Sequence, residues 1–205
     1  MKIITIGREF GSGGRELGRK LAELLHFAYY DQEIVRGIAE RTSFAEKYVQ
    51  SILERRPNLL LPPLSAGHSF LLADPMQKQN YAIYREQSGI IREMAEKSDC
   101  VIVGRCADYI LRELNPFRIF VYSSEESRLK RCMARTPESE KITEKEMKRE
   151  IERVNKNRAS YYRFFTGQVW GDKINYDLCI NLTEIPVAEA AQSIAALFRT
   201  IPCCK

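Results

Sequence analysis

Hydrophobic positions along the chain alternate between short apolar runs and longer stretches with helical spacing. Residues 2–7, KIITIG, form an apolar run that ends in glycine, and a glycine-rich segment follows it directly. From Arg15 to Leu25, leucines recur at the three- and four-residue spacing of one helical face. This order predicts a buried strand, a glycine loop and an amphipathic helix, which is typical of the start of an α/β protein.

The rest of the chain repeats the alternation of strands and helices. Apolar runs predict further strands at 100–104, 117–123 and 176–182. Helical spacing predicts helices over 29–60, 81–97 and 106–113, from Ser123 to Thr136, in a charged stretch ending near Phe165, and over 186–199. We therefore expect a doubly wound parallel sheet with helices on both faces.

Length and charge narrow the class of protein. A chain of 205 residues fits one domain, since domains usually have about 100–200 residues. The net charge of +5 is compatible with an anionic ligand but is too small to indicate a nucleic-acid partner. No apolar run reaches the roughly 18–20 residues of a membrane span, and the first residues are too short for a signal peptide. These features predict a cytoplasmic protein, and they leave open a monomer or a homodimer.

Six cysteines and two histidines are present, but their spacing does not match a zinc site. Cys100 and Cys179 lie within strand-like runs and are interpreted as small core residues. Cys203 and Cys204 are interpreted as free thiols near the C-terminal end. None of the cysteines therefore predicts a metal or disulfide site.

The glycine loop after the first strand has the composition of a phosphate-binding loop. Glycines adopt backbone angles that other residues avoid, so several N–H groups can point at one centre. The helix N-terminus that follows adds partial positive charge. The residues predicted to cradle phosphate are Gly11, Ser12, Gly13, Gly14, Arg15 and Glu16.

The loop departs from the Walker A pattern G-x-x-x-x-G-K-[ST]. If Gly13 is the second motif glycine, the lysine position holds Gly14 and the first glycine is replaced by Arg8. Moving the register by one residue places Gly14-Arg15-Glu16 at the end of the motif. Neither register supplies a lysine, so we expect Arg15 to provide the phosphate-directed cation.

Two other interpretations of the loop remain open. One is a tight turn that binds nothing. The other is a dinucleotide-binding fingerprint, because Asp31 follows Gly11 by the 20 residues expected of a ribose-binding acid. Glu16 then occupies the position of the third fingerprint glycine, where a carboxylate would oppose a pyrophosphate. We therefore rank the phosphate loop first and the empty turn last.

Four further stretches complete an ordered set with the loop sequence REFGSGGRE. They are YDQE at 30–33, VIVGR at 101–105, FVYSSEESRLKR at 120–131 and NKNR at 155–158. Together they resemble the nucleoside monophosphate kinases, and in particular the cytidylate kinase-like family, over residues 1–199. The resemblance implies transfer of the ATP γ-phosphoryl group, with Mg²⁺, to a CMP-like nucleoside monophosphate or a similar small phosphorylated acceptor.

The resemblance also implies a domain organisation. It predicts one P-loop kinase domain over 1–205, with a core formed by 1–31 and 81–200. An acceptor-binding insertion is expected at about 32–80 and a lid at about 136–143.

The resemblance implies roles for individual residues. The loop glycines and Arg15 would hold ATP phosphates, and Asp31 and Glu16 are the candidate Mg²⁺ ligands. The acceptor would be bound by Asp31, Gln32, Arg36, Arg85 and Arg105. The predicted catalytic residues are Arg15, Asp31, Arg105, Arg128, Arg131 and Arg158.

Two family acids are missing from the expected positions. Cys106 replaces the acid of a Gly-Arg-Asp motif that contacts a cytosine nucleotide in the family, and Asn155 replaces an acid beside Arg158. The first departure weakens the case for CMP. Two alternative functions remain open. The protein could be a nucleotide-binding regulator without catalysis, or a dinucleotide-dependent oxidoreductase.

Overall fold

A parallel sheet organises the computed structural model of the protein, which describes residues 1–53, 75–137 and 142–201. The strands are β1 (Ile3–Arg8), β2 (Ala28–Tyr30), β3 (Cys100–Val103), β4 (Phe117–Tyr122) and β5 (Leu178–Asn181). They lie in the order β2-β3-β1-β4-β5, and each neighbouring pair is parallel. Their carboxyl ends therefore share one edge, and the strand order changes direction beside β1, where ligands bind in folds of this kind.

Helices cover both faces of the sheet, as the sequence predicts. They are α1 (Gly14–Leu25), α2 (Gln32–Thr42), α3 (Glu46–Leu53), α4 (Pro75–Lys97), α5 (Ala107–Ile110), α6 (Glu125–Arg135), α7 (Glu144–Thr166) and α8 (Val187–Thr200). Helices α1 and α8 share one core with the sheet, and α2, α3, α4, α5 and α7 share a second core on the other face. None of the described helices combines the length and apolar content that crossing a membrane requires.

Helices α6 and α7 also form a third, smaller core. Leu129 and Cys132 of α6 pack against Met147 and Ile151 of α7, and Phe10 of the glycine loop lies against this cluster. The loop after β1 is therefore in direct contact with the two helices that flank the predicted lid.

The predicted helix over 29–60 is wrong in its first part. The chain forms β2 there, where the Ala28 N–H donates to the Asp99 carbonyl and the strand pairs with β3. Ser43, at φ +56°, then ends α2 before α3 begins. A strand of three residues is too short to show an alternating pattern, so the helical spacing of the following segment dominates the sequence signal. Residues 54–74 of the predicted insertion and 138–141 of the predicted lid lie outside the described residues.

Helix α1 packs closely on the sheet beside the glycine loop. Leu17 and Leu21 are fully buried, and between them Gly18 faces the strands. A Cβ atom at Gly18 would lie 2.9 Å from Val103 Cγ2, which is closer than packed carbons approach. Glycine at this position therefore sets the distance between α1 and the sheet.

We expect Gly18→Ala to destabilise the protein by about 1–3 kcal/mol, because the added methyl overpacks the core. Gly89→Ala in α4 is the matched control. Of the described atoms, a Cβ atom there would meet Arg41 Nη1 alone, at 3.7 Å, so the lower backbone entropy of the unfolded chain should stabilise the protein by about 0.5–1 kcal/mol. Urea unfolding of both variants measures the difference, and equal effects would contradict the packing argument.

Candidate active site

The glycine loop connects β1 to α1 at the carboxyl edge of the sheet. Gly11 and Gly13 have φ angles of +78° and +91°, which glycine adopts readily and other residues avoid. Gly13 stands at the N-cap of α1, and no capping side-chain hydrogen bond is formed there by the described residues. The backbone N–H groups at the start of α1 are thus available to an anion.

Arg131 of α6 anchors the second half of the loop. Its Nη1 donates to the Ser12 carbonyl at 3.0 Å, and its Nη2 donates to the Leu182 carbonyl at 2.6 Å. Gly11 is pressed against the same helix, since a Cβ atom there would lie 2.8 Å from Cys132 Sγ. Arg131, predicted to be catalytic, thus holds the loop backbone and the end of β5 through its two terminal nitrogens.

Helix α7 holds the first half of the loop. The Phe10 N–H donates to Asn155 Oδ1 at 2.7 Å, and Arg158 Nη1 donates to the Arg8 carbonyl at 3.2 Å. The Arg158 guanidinium also lies 5.5 Å from the centroid of the Phe10 ring. Asn155, which replaces a family acid, therefore has a positioning contact with the loop.

A buried carboxylate surrounded by arginines lies beside the loop. Asp31 is only 3% exposed and forms an ion pair with Arg15, whose Nε lies 2.6 Å from Asp31 Oδ2. Asp31 Oδ1 lies 3.6 Å from Arg8 Nη2. Burial, together with weaker repulsion from Arg105, lowers the pKa of Arg8 to about 10, so Arg8 keeps its charge at neutral pH. We call Arg8, Arg15, Asp31 and Arg105 the arginine cluster. It carries three positive charges and one negative charge at the edge where the strands end.

The turn after β3 has an unusual backbone. Gly104, Arg105 and Cys106 have successive φ angles of +76°, +58° and +55°. The fully buried Gln87 of α4 stabilises this turn by donating its Nε2 to the Arg105 carbonyl at 2.8 Å. Left-handed backbone at non-glycine residues costs about 1–3 kcal/mol each and is concentrated at functional sites. The turn places Arg105 close enough to Arg8 for their charges to repel. Arg105 Nη2 donates to Gln50 Oε1 at 3.2 Å.

Cys106 follows Arg105 in this turn and is buried. Burial raises the pKa of its thiol well above the usual value, and the neighbouring Asp108 adds to this rise. The Asp108 carboxylate accepts a hydrogen bond from the Tyr162 hydroxyl at 2.6 Å. Cys106 is therefore a neutral thiol at physiological pH and cannot supply the charge of the acid that it replaces.

The remaining predicted site residues lie around this centre. Glu16 accepts from Arg135 Nη2 at 2.7 Å, and Arg128 Nε lies 3.5 Å from Glu9 Oε2. On α2 and α4, three predicted acceptor-binding residues are exposed: Gln32, Arg36 and Arg85. The structure thus brings Arg15, Asp31 and Arg105 together. It leaves Gln32, Arg36 and Arg85 at the surface.

Two residues of this site, Arg8 and Gln87, are not predicted from the sequence. Arg8 and Gln87 were not candidates, although Arg8 stands where the Walker pattern has its first glycine. That substitution was the available signal for Arg8. Gln87 has no comparable signal, because its role depends on a contact with a backbone carbonyl 18 residues away.

Two of the cavities in the part of the chain that the structure describes lie at the two ends of the sheet. The larger, about 750 Å³, lies at the opposite end of the sheet and is lined by Met1, Asp99 and Phe117 among others. The smaller, about 50 Å³, lies beside Arg8, Gly104 and Arg158. Two members of the arginine cluster, Arg8 and Arg105, line the smaller cavity, so it adjoins the candidate site at the carboxyl edge of the sheet. No cluster of three or more metal-ligating side chains is present among the described residues.

The parallel sheet, the glycine loop at the start of α1 and the arginines around it define a kinase-like P-loop fold. The sequence model of the cytidylate kinase-like family matches residues 3–184, and the chain belongs to this family. Membership supports a kinase-like function on a nucleotide or another small molecule. A comparison with curated proteins gives no match.

Solved structures share this fold. An uncharacterized protein from Eubacterium ventriosum ATCC 27560 is 28% identical, with a TM-score of 0.71 over 98% of this chain and 100% of that chain. Shikimate kinase from Bacteroides thetaiotaomicron is 16% identical, with a TM-score of 0.58 over 97% and 98% of the two chains. Shikimate kinase from Acinetobacter baumannii, in complex with shikimate, is 15% identical, with a TM-score of 0.52 over 97% and 93%. These two kinases establish likeness of fold only.

We expect Arg131→Met to destabilise the protein by about 1–3 kcal/mol, because it removes the donor to the carbonyls of Ser12 and Leu182. Arg135→Met, one turn further along α6, removes an exposed ion pair with Glu16 and should change stability by less than about 1 kcal/mol. Thermal unfolding of both variants measures this, and equal losses would contradict the anchoring role of Arg131.

We expect Cys106→Asp to lower stability in a pH-dependent way. Aspartate tolerates the left-handed backbone, so any loss reports burial of the carboxylate. Burial would raise the pKa of this carboxyl in the folded protein above its value in the unfolded chain. The loss should therefore grow as pH rises from 5 to 7.5, by about 1.4 kcal/mol per pH unit until the folded-state pKa is passed. Urea unfolding at both pH values, with Cys106→Ala as the control, measures the effect. A loss independent of pH would contradict it.

Proposed function

We propose that the protein transfers the γ-phosphoryl group of ATP to a nucleoside monophosphate or a similar small phosphorylated acceptor. The observation that carries this proposal is the arginine cluster beside the uncapped start of α1. Phosphoryl transfer asks for positioning and for neutralisation of charge on the moving group, which backbone N–H groups and arginines provide.

In the proposed reaction, an oxygen of the acceptor phosphate forms a bond to the γ-phosphorus of ATP. The bond between that phosphorus and the β–γ bridging oxygen breaks, and this oxygen keeps the electron pair and leaves as part of ADP. The loop backbone from Gly11 to Gly14 would bind the ATP phosphates. Arg15, Arg105 and Arg158 would stabilise the charge on the transferring group.

Mg²⁺ fits one position in this arrangement. Asp31 Oδ1 is buried, has no hydrogen-bond partner among the described residues and lies 3.6 Å from Arg8 Nη2, so this oxygen could hold a cation only in addition to that ion pair. Magnesium in kinases is usually held by one or two carboxylates together with substrate phosphates. Asp31 would therefore hold Mg²⁺, which would neutralise phosphate charge; Glu16, paired with Arg135, is the second candidate.

The acceptor would bind between α2, α4 and the turn after β3. Gln32, Arg36 and Arg85 are exposed there and could reach a phosphate without breaking a buried contact. Within the described residues, Arg85 pairs with the adjacent Glu86 at 3.6 Å, and its side chain is 82% exposed. Cys106 is a neutral thiol and cannot act as the acid that contacts a cytosine nucleotide in the family. It therefore favours an acceptor that needs no acid at this position.

A coupled assay of ADP release tests the proposal. Purified protein, ATP and Mg²⁺ are combined with each nucleoside monophosphate and with a panel of other small phosphates. Acceptor-dependent ADP release is the expected result. ATP binding without ADP release for any acceptor would instead support a nucleotide-binding regulator, since both Walker registers lack lysine.

We expect Arg36→Ala and Arg85→Ala to raise the acceptor KM by about 10- to 100-fold with a smaller change in kcat, since each removes a charged contact to phosphate. Both residues are exposed, so stability should not change. Arg112→Ala, an exposed residue at the other end of the sheet, is the control for loss of surface charge. Unchanged KM values in both variants would remove these arginines from the acceptor site.

A further inference from the structure

We propose that Arg8 supplies the phosphate-directed cation that a lysine supplies in other P-loop proteins. This inference rests on the proposed phosphoryl transfer, and it assigns to Arg8 the role that the sequence analysis gives to Arg15. Two departures from the Walker pattern carry it, Arg8 at the end of β1 and Gly14 at the start of α1, and the fold brings them into contact.

The two substitutions are sterically linked. In the register with Gly13 as the second motif glycine, arginine replaces the first glycine and Gly14 replaces the lysine. A Cβ atom at Gly14 would lie 2.5 Å from the Cβ atom of Arg8, so two side chains cannot occupy these positions together. The side chain that starts from position 8 thus fills the space in which a side chain from position 14 would begin.

The Arg8 side chain is fixed in place by its surroundings. It is 11% exposed and runs across Gly104, where a Cβ atom would overlap its Nη1 atom. Gly104 also has a φ of +76°, so both the backbone and the space favour glycine there. A guanidinium held in this way needs little reorganisation when charge develops nearby, which is the condition for strong transition-state stabilisation.

The ion pairs separate the roles of Arg8 and Arg15. Arg15 Nε lies 2.6 Å from Asp31 Oδ2, which is hydrogen-bonding distance, and the Arg15 side chain is 50% exposed. Arg8 Nη2 lies 3.6 Å from Asp31 Oδ1, too far for a hydrogen bond. The charge of Arg15 is therefore shared closely with the carboxylate, whereas Arg8 brings a buried charge that is only partly compensated. A phosphate oxygen beside Arg8 would complete this compensation.

In the transfer step, negative charge grows on the β–γ bridging oxygen as its bond to the γ-phosphorus breaks and the acceptor oxygen bonds to that phosphorus. Arg8 would donate to the phosphate oxygens at this stage and keeps its proton throughout. Its contribution should therefore appear mainly in kcat.

The test is a double-mutant cycle that moves the cation from one position to the other. Arg8→Gly should lower kcat by about 10²–10³ with a smaller rise in the ATP KM, because the backbone cradle remains. Gly14→Lys alone should be impaired, because the new side chain collides with Arg8. The double variant Arg8→Gly/Gly14→Lys restores the G-x-x-x-x-G-K pattern and should exceed the kcat of both single variants by at least about tenfold.

Further variants separate charge from structure. Arg8→Lys should recover part of the loss, since it keeps a point charge without the forked donors. Arg15→Ala should lower kcat less than Arg8→Gly, and Arg112→Lys is the surface control. Thermal unfolding of each variant shows whether it folds. A folded Arg8→Gly variant with near-normal kcat, or a folded double variant no better than Arg8→Gly, would overturn the assignment.

A failure of the proposed function gives a different result. If the native protein releases no ADP with any acceptor, the transfer proposal fails, and calorimetry with ATP and with adenosine still tests Arg8. Loss of one charged contact should then weaken ATP binding by about tenfold and leave adenosine binding unchanged. Equal weakening of both ligands, or of neither, would overturn the role of Arg8 in binding phosphate.

Discussion

The buried carboxylate of Asp31 among arginines is the interaction on which the candidate site depends. A buried charge is tolerated only when it is compensated, and here the guanidinium groups of Arg8 and Arg15 lie beside the carboxylate, while Arg105 lies near Arg8. The excess is positive and faces the edge where the strands end. Gly14 and Gly104 leave the space that the Arg8 side chain needs to reach this carboxylate. The sequence suggests only that these glycines allow unusual backbone angles. The structure shows that they also leave room for a charged side chain.

The glycine loop depends on helices that are remote in sequence. Arg131 of α6 donates to the Ser12 carbonyl, and Asn155 of α7 accepts from the Phe10 N–H. These helices flank the predicted lid and pack against each other through a small core that includes Phe10. A displacement of either helix would therefore change the shape of the loop without any direct contact between lid and phosphate. Asn155, a departure from the family pattern, and Arg131, a predicted catalytic residue, both gain a mechanical explanation from these contacts.

The sequence predicted those parts of the fold in which periodicity extends over several residues. The leucines of α1 and the apolar run of β3 were found in this way, whereas β2, with three residues, produced no pattern of its own. The candidate site was predictable where a motif lay in one continuous segment, as at Gly11 to Arg15, and where the family resemblance marked Asp31 and Arg105. It was not predictable where it depends on contacts between segments. The buried amide of Gln87 is such a case, because its partner is a carbonyl on another element.

The departures from the Walker pattern bear on whether this loop is degenerate. Loss of the lysine alone, with the first glycine kept, would leave the loop without this cation. Here the glycine at position 14 and the arginine at position 8 occupy one shared space, so each substitution accommodates the other. The positive charge is buried and oriented by Gly104 instead of being lost. A coupled exchange that keeps the charge is the pattern expected of a loop that still binds phosphate.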